Sequence, residues 1–194
     1  MRIGVLAMQG AFAEHIAMLH LLGIEAMPVR LPPDLKFLEG LIIPGGESTT
    51  IASLMSSYSI AGEVKRLAQA GLPVMGTCAG MILMSREVTD LDVEPLGLMD
   101  ITVKRNAFGR QKESFETELC IPVLGEAPFR GIFIRAPLIE SINGKTEILT
   151  RLADGTIVAA REDNLLATAF HPELAGDPRF HQYFLDIIDE HRKS

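Results

Sequence analysis

Pro73-Val74-Met75-Gly76-Thr77-Cys78-Ala79-Gly80 decides how this chain is read. An apolar run meets a cysteine that has glycine two residues before and two residues after it. This is the pattern of a strand that turns sharply into a helix, with a reactive side chain at the apex. The flanking glycines have a steric purpose, because a side chain at either place would collide with its neighbours in so tight a turn. Glycine makes up about 7% of average sequence, so a given cysteine carries both glycines by chance about 0.5% of the time. The chain has only two cysteines, so the pattern points to a nucleophile.

Upstream of this turn, strand and helix signals alternate. Ile3-Gly4-Val5-Leu6-Ala7-Met8 reads as a buried first strand, interrupted by Gln9 and Gly10 before it could be a signal-peptide core. Ala11 to Leu22 has Phe12, Ile16, Leu19 and Leu22 at helical spacing. A strand over Ile24 to Val29 follows, then a short buried strand, Leu41-Ile42-Ile43, stopped by Pro44-Gly45-Gly46. Ser48 to Ser56 and Ile60 to Ala70 read as helices, and a further helix runs from Ala79 to about Arg86. The alternation predicts an α/β fold: a doubly wound, mostly parallel sheet with helices on both faces.

Downstream the texture changes to short strand candidates. These are Ile101 to Lys104, Glu116 to Ile121, Gly131 to Ile134, Ile148 to Leu152, Thr156 to Ala160 and Leu165 to Phe170. Asn143-Gly144 and Asp154-Gly155 mark tight turns, so antiparallel additions to the sheet are expected in this half. The chain closes with an amphipathic helix over Pro178 to His191. No repeat or linker divides it, and residues 1–194 are read as one domain.

Composition removes several function classes. Hydrophobic residues are 47% and charged residues 22%, as in ordinary globular proteins. The formal charge of −7 and the lack of a Lys/Arg cluster exclude nucleic acid and anionic membrane as expected partners. Two cysteines far apart imply a reducing, cytoplasmic setting. Cys78, Cys120 and the five histidines show no metal-ligand spacing, so no metal and no cofactor is expected. Cys120 lacks the glycine frame and reads as a packed thiol. The nine methionines read as core filler.

Gly45-Gly46, Cys78 and His171 each follow a strand. If those strands are parallel, all three groups meet at the carboxyl edge of the sheet, where open α/β folds place their sites. In His171-Pro172-Glu173 the proline favours an extended backbone, and residues two apart in an extended segment point the same way. Glu173 can then bond one nitrogen of His171 and leave the other facing a thiol, the logic of a Cys-His-Glu triad. His15, His20, His181 and His191 fall in helix patterns, with no carboxylate two residues away in an extended run. The glycine turn lacks the Lys-Ser/Thr ending of a phosphate-binding loop.

Pro44-Gly45-Gly46-Glu47-Ser48, the Cys78 turn and His171-Pro172-Glu173 together resemble a class I (triad) glutamine amidotransferase. More narrowly, the chain resembles the glutaminase subunit of pyridoxal 5′-phosphate synthase, the PdxT/SNO family. Residues 3–10 with Glu14-His15, Glu47-Ser48-Thr49-Thr50, residues 105–111 with Ser114-Phe115, and Phe133-Ile134-Arg135-Ala136-Pro137 carry that narrower likeness. Met8 and Ala175 depart from the usual pattern without touching the chemistry.

The resemblance implies a flavodoxin-like fold and hydrolysis of L-glutamine to L-glutamate and ammonia. The ammonia would pass to a pyridoxal 5′-phosphate synthase subunit of the PdxS type for vitamin B6 biosynthesis. Cys78 would attack as thiolate, His171 would act as acid and base, and Glu173 would orient His171. Backbone N–H groups of Gly46 and Ala79 are candidates for the oxyanion hole. By resemblance, Gly46, Glu47, Ser48, Arg105, Ile134 and Arg135 line the glutamine site. Gln9 and Gly10, on the same predicted edge, are candidates for coupling to the partner. Two other classes remain at this point: a cysteine hydrolase with a different amide substrate, and a catalytically silent scaffold protein.

Overall fold

The computed structural model describes residues 1–90, 94–105 and 114–193. Its centre is five parallel strands in the order β2-β1-β3-β4-β12, the flavodoxin-like arrangement. These are β1 (Arg2–Leu6), β2 (Glu25–Val29), β3 (Gly40–Ile43), β4 (Val74–Thr77) and β12 (Leu165–Thr168). Every residue of β3, β4 and β12 is buried. That is why these strands appear as unbroken apolar runs, since a parallel sheet is covered on both faces.

The helices are α1 (Phe12–Leu21), α2 (Ser48–Ser57), α3 (Ala61–Gln69), α4 (Ala79–Met84) and α5 (Arg179–Lys193). Strand alternation shows that they cover opposite faces. A side chain at position 40 of β3 would point at Phe184 and Ile188 of α5, whereas Ile43, three residues on, packs against Gly80 of α4. No helix among the described residues is long and apolar enough to cross a membrane.

Beyond β12 the sheet continues through β11 (Ile157–Glu162), β9 (Leu138–Ile142), β6 (Met99–Lys104) and β5 (Ser85–Val88). The β12-β11, β11-β9 and β9-β6 pairs are antiparallel, and β10 (Glu147–Arg151) pairs with β11 across the Asp154-Gly155 turn. A separate hairpin joins β7 (Ser114–Leu119) to β8 (Phe129–Ile134). Burial alternates along β6 and β8, as expected where one face meets solvent.

Three expectations are corrected. The helix after Cys78 stops at Met84, because Ser85 begins β5 and pairs in parallel with β6. Strand β9 had no counterpart in the sequence reading. Cys120 is exposed rather than packed. It follows Leu119, which is buried at the end of a strand with alternating burial, so residue 120 falls on the outer side.

Candidate active site

The turn after β4 is strained at its apex. Cys78 has φ 50° and ψ −104°, outside the regions that side-chain-bearing residues favour. The glycine frame makes this possible. A β-carbon at Gly80 would stand 1.9 Å from the carbonyl oxygen of Ile43, and one at Gly76 would stand 2.7 Å from the backbone of Gly80. The Cys78 N–H donates to the Thr168 carbonyl at 2.8 Å, which ties the turn to β12. The thiol donates a long bond, 3.9 Å, to the Ile134 carbonyl.

His171 arrives from the far end of β12 on an aromatic anchor. Phe170 is fully buried and touches Phe129, Phe133 and Phe180 with ring centroids 5.3–5.8 Å apart. The His171 N–H donates to the Ile132 carbonyl of β8 at 2.8 Å. Its Nδ1 lies 2.7 Å from Glu173 Oε1. Pro172–Leu174 form a 3-10 turn rather than the extended run expected, so Glu173 reaches the ring by doubling back. Burial alone would lower the His171 pKa. Hydrogen bonds and charge from Cys78 and Glu173 outweigh it and push the value up to about 10.

A cavity of about 320 Å³ opens above these groups. Cys78, Ala79 and His171 line it, together with Gln9, Gly46, Glu47, Ser48, Arg105, Ile134 and Arg135. Ile82, not singled out from sequence, completes the wall. Glu47 caps α2, accepting from the Thr50 N–H at 3.0 Å and from the Thr49 hydroxyl. These bonds, Thr49 first, outweigh desolvation and, with the Arg105 charge, hold the carboxyl below its usual range. Arg105 pairs with Glu47 across the cavity. Ser48 is buried, and its hydroxyl has no hydrogen-bond partner among the described residues. Arg135 takes a positive φ of 42° at the cavity rim. A larger cavity of about 480 Å³ between α2 and α3 contains no cysteine or histidine.

The loop after β3 is fastened from two sides. Gly45 N–H donates to Thr77 Oγ1 at 3.0 Å, and the Gly45 carbonyl accepts the Ala11 N–H at 3.0 Å. Glu47 N–H donates to Gln9 Oε1 at 2.7 Å. Gly10 does not line the cavity, but it lies between two residues that grip this loop.

A sequence profile of the SNO glutamine amidotransferase family matches residues 5–190. The chain belongs to that family. It is 57% identical to the pyridoxal 5′-phosphate synthase subunit PdxT of Dehalococcoides mccartyi strain CBDB1 over 194 residues, covering 99% of this chain and 100% of the relative. It is 56% identical to the protein of the same name from Herpetosiphon aurantiacus over 190 residues, 96% of this chain and 100% of the relative. A crystal structure of a glutamine amidotransferase superposes with a TM-score of 0.91 at 46% identity, covering 96% of this chain and 98% of that one. At 18% identity and a TM-score of 0.68, the structure of PurLQS from Thermotoga maritima shares the fold, over 95% of this chain and 97% of the matched one.

In this amidotransferase three residues beside Cys78, His171 and Glu173 escaped the sequence reading. Thr77, His15 and His181 are fully buried, and His15 lies 3.4 Å from the second carboxylate oxygen of Glu173. His15 and His181 do sit in helices, as expected, but on helices that pack behind the site. The sequence signal for Thr77 is its place immediately before Cys78. Glu14-His15 belongs to a run that carries the family likeness but was given no role, and nothing local marks His181. Of the motif over 105–111, only Arg105 falls within the described residues.

Proposed function

We propose that Cys78, His171 and Glu173 hydrolyse the side-chain amide of L-glutamine to glutamate and ammonia. We further propose that the ammonia goes to a pyridoxal 5′-phosphate synthase subunit. The observation that carries this reading is the placement of His171 and its Glu173 partner beside a thiol on a strained turn, in a chain of the glutamine amidotransferase family. The relatives' name, subunit of pyridoxal 5′-phosphate synthase, supports the destination of the ammonia.

The chemistry follows from the geometry. The Cys78 thiolate attacks the amide carbon, and the carbonyl oxygen becomes an oxyanion. The Gly46 and Ala79 N–H groups are the donors proposed to receive it, and one such donor lowers the barrier by about 3–4 kcal/mol. Protonated His171 gives its Nε2 proton to the departing nitrogen, which leaves as ammonia, and a thioester remains. Neutral His171 then takes a proton from water as the water attacks the thioester, releasing glutamate and restoring the thiolate. Glu173 keeps the imidazole in register and stabilises its charged form.

Glu47, Ser48, Arg105, Ile134 and Arg135 are proposed to hold the substrate. Ser48 offers a hydroxyl unpaired among the described residues, and the Glu47–Arg105 pair offers both signs of charge to an amino acid headgroup. The cavity draws on elements from both halves of the chain, which supports reading 1–194 as one domain. A working thiol, with neither cysteine in a disulfide, supports a cytoplasmic site of action.

The test is glutamate and ammonia release from glutamine, with and without the synthase partner, for the wild type and Cys78→Ala. The wild type should turn over with its partner and the variant should not. Equal release by both would overturn the reading.

A further inference from the structure

Two imidazoles with no part in that chemistry stand directly behind the triad. His15 on α1 and His181 on α5 are fully buried, and His15 Nδ1 lies 2.9 Å from His181 Nε2. The other nitrogen of His15, Nε2, lies 3.1 Å from Thr77 Oγ1 and 3.4 Å from Glu173 Oε2. Glu173 uses Oε1 on His171, while its buried Oε2 has no hydrogen bond of normal geometry among the described residues. A buried carboxylate oxygen without a donor is costly, and His15 Nε2 faces it.

The proton positions follow from a second orphaned atom. His181 Nδ1 is buried and has no partner among the described residues. A bond between two neutral imidazoles needs one donor. If His15 donated from Nδ1, His181 would have to carry its proton on Nδ1, as a buried donor with nothing to receive it. His15 Nε2 would then meet Glu173 Oε2 lone pair to lone pair. The opposite assignment removes the clash at Glu173 and leaves His181 Nδ1 a buried lone pair in place of a buried N–H. His181 donates from Nε2 to His15 Nδ1, and His15 keeps its proton on Nε2, facing Glu173 and Thr77. Burial favours neutral rings. It pushes His181 down to about 4 and, with the charges of His181 and His171, pushes His15 well below the ordinary histidine value.

We propose that His15 is a positioning residue of the triad. Its Nε2–H, fixed in place by the bond from His181, holds the second carboxylate oxygen of Glu173 so that the first stays aligned on His171. The relay runs from α5 through α1 to the 3-10 turn, and so brings the two helices of one sheet face into the register of the site. Thr77 Oγ1, the other neighbour of that nitrogen, accepts the Gly45 N–H. His15 therefore stands where the His-Glu arm, the Cys78 turn and the loop after β3 converge. The inference rests on the glutaminase reading above.

Nitrogen-15 NMR of the wild-type chain, labelled on histidine, reads the tautomers directly. His15 and His181 should both be neutral and protonated on Nε2 from pH 6 to 8. Protonation of His15 on Nδ1, or a charged His15 in that range, would overturn the proposal whatever any variant does. Turnover with the synthase partner gives the second readout. His15→Met, which lacks a donor, should lower kcat about ten- to a hundredfold, the range typical of residues that orient a functional histidine. KM should stay within about twofold, because His15 does not line the cavity. His15→Gln, which can return an N–H to the same place, should recover most of the loss. A folded His15→Met with wild-type kcat sinks the proposal, and so does His15→Gln no better than a folded His15→Met. Cys78→Ala in the same assay separates the two ideas, since an active Cys78→Ala would indict the glutaminase reading instead.

Discussion

The backbone of Gly45 lies against the imidazole of His171 so closely that a β-carbon there would stand 2.4 Å from Cε1 and 3.0 Å from Nδ1. The same atom would stand 3.3 Å from Cys78 Cβ. Gly45→Ala should therefore push the imidazole away from the thiol. A displacement near 1 Å is enough to lower turnover about a hundredfold. The strain should also cost about 1–3 kcal/mol of stability, read as a lower denaturation midpoint. Near-normal glutaminase activity would show that the loop yields instead.

Strain at Cys78 separates two inactive variants. Cys78→Ala and Cys78→Gly both lose the proposed nucleophile and should release no ammonia. Only glycine is comfortable at φ 50° and ψ −104°. Cys78→Gly should therefore unfold about 1 kcal/mol less readily than Cys78→Ala. The reverse order in a urea titration would argue that the turn relaxes without its side chain. Cys120→Ala, far from the cavity and exposed, should leave turnover unchanged.

Within the His-Glu arm of the proposed triad, His171→Asn should be nearly as damaging as loss of Cys78. Glu173→Gln should be milder, because the shape persists and only the charge that favours imidazolium is lost. Kinetics of the two variants beside the wild type decide it. Full activity in Glu173→Gln would reduce the triad to a dyad.

The raised pKa of His171 has a signature in stability. Its folded value, about 10, lies above the ordinary 6.5. The stabilisation is thus fully present below about 6.5 and is lost as pH rises through 10. The difference in unfolding free energy between wild type and His171→Asn should shrink steadily from pH 7 to pH 10. A difference that stays flat over that range would mean the imidazole is already neutral at pH 7.

Alone, the chain should be a weak glutaminase. The Gly45–Gly46 peptide carries the proposed oxyanion donor, and its carbonyl is held by Ala11 N–H. Turning that peptide requires the Gln9-Gly10-Ala11 segment to let go. A partner that binds one arrangement shifts the population by its differential affinity. Gln9→Met, which loses the bond to Glu47, should lower the stimulation by the synthase partner more than the basal rate. A partner-free chain as fast as the complex would rule this out.

Sequence and structure agree where the signal is local and steric. The glycine frame of Cys78, the buried parallel strands and the Asp154-Gly155 hairpin were all legible, because each is set within a few residues. Ser85–Val88 was not, since Arg86 and Glu87 favour helix and only pairing with β6 makes the segment a strand. Glu173 was assigned the right neighbour by the wrong backbone. A proline after His171 is compatible with both an extended run and the first residue of a 3-10 turn. His15 and His181 are separated by 166 positions and meet only once α1 and α5 lie side by side. No spacing rule could have joined them.

The order of strands also sets a timetable for biosynthesis. Cys78 leaves the ribosome long before His171, although β4 and β12 are immediate neighbours in the finished sheet. At about 5–20 residues per second, the thiol waits on the order of 5–20 seconds for its imidazole. During that interval β4 has β3 on one side and an unpaired edge on the other. A nascent chain that stalls before Leu165 would therefore carry a glycine-framed cysteine with no base to activate it, on a sheet still open to the wrong strand. Completion of the fold and arming of the proposed nucleophile are one event, reached only when the last parallel strand slides into place.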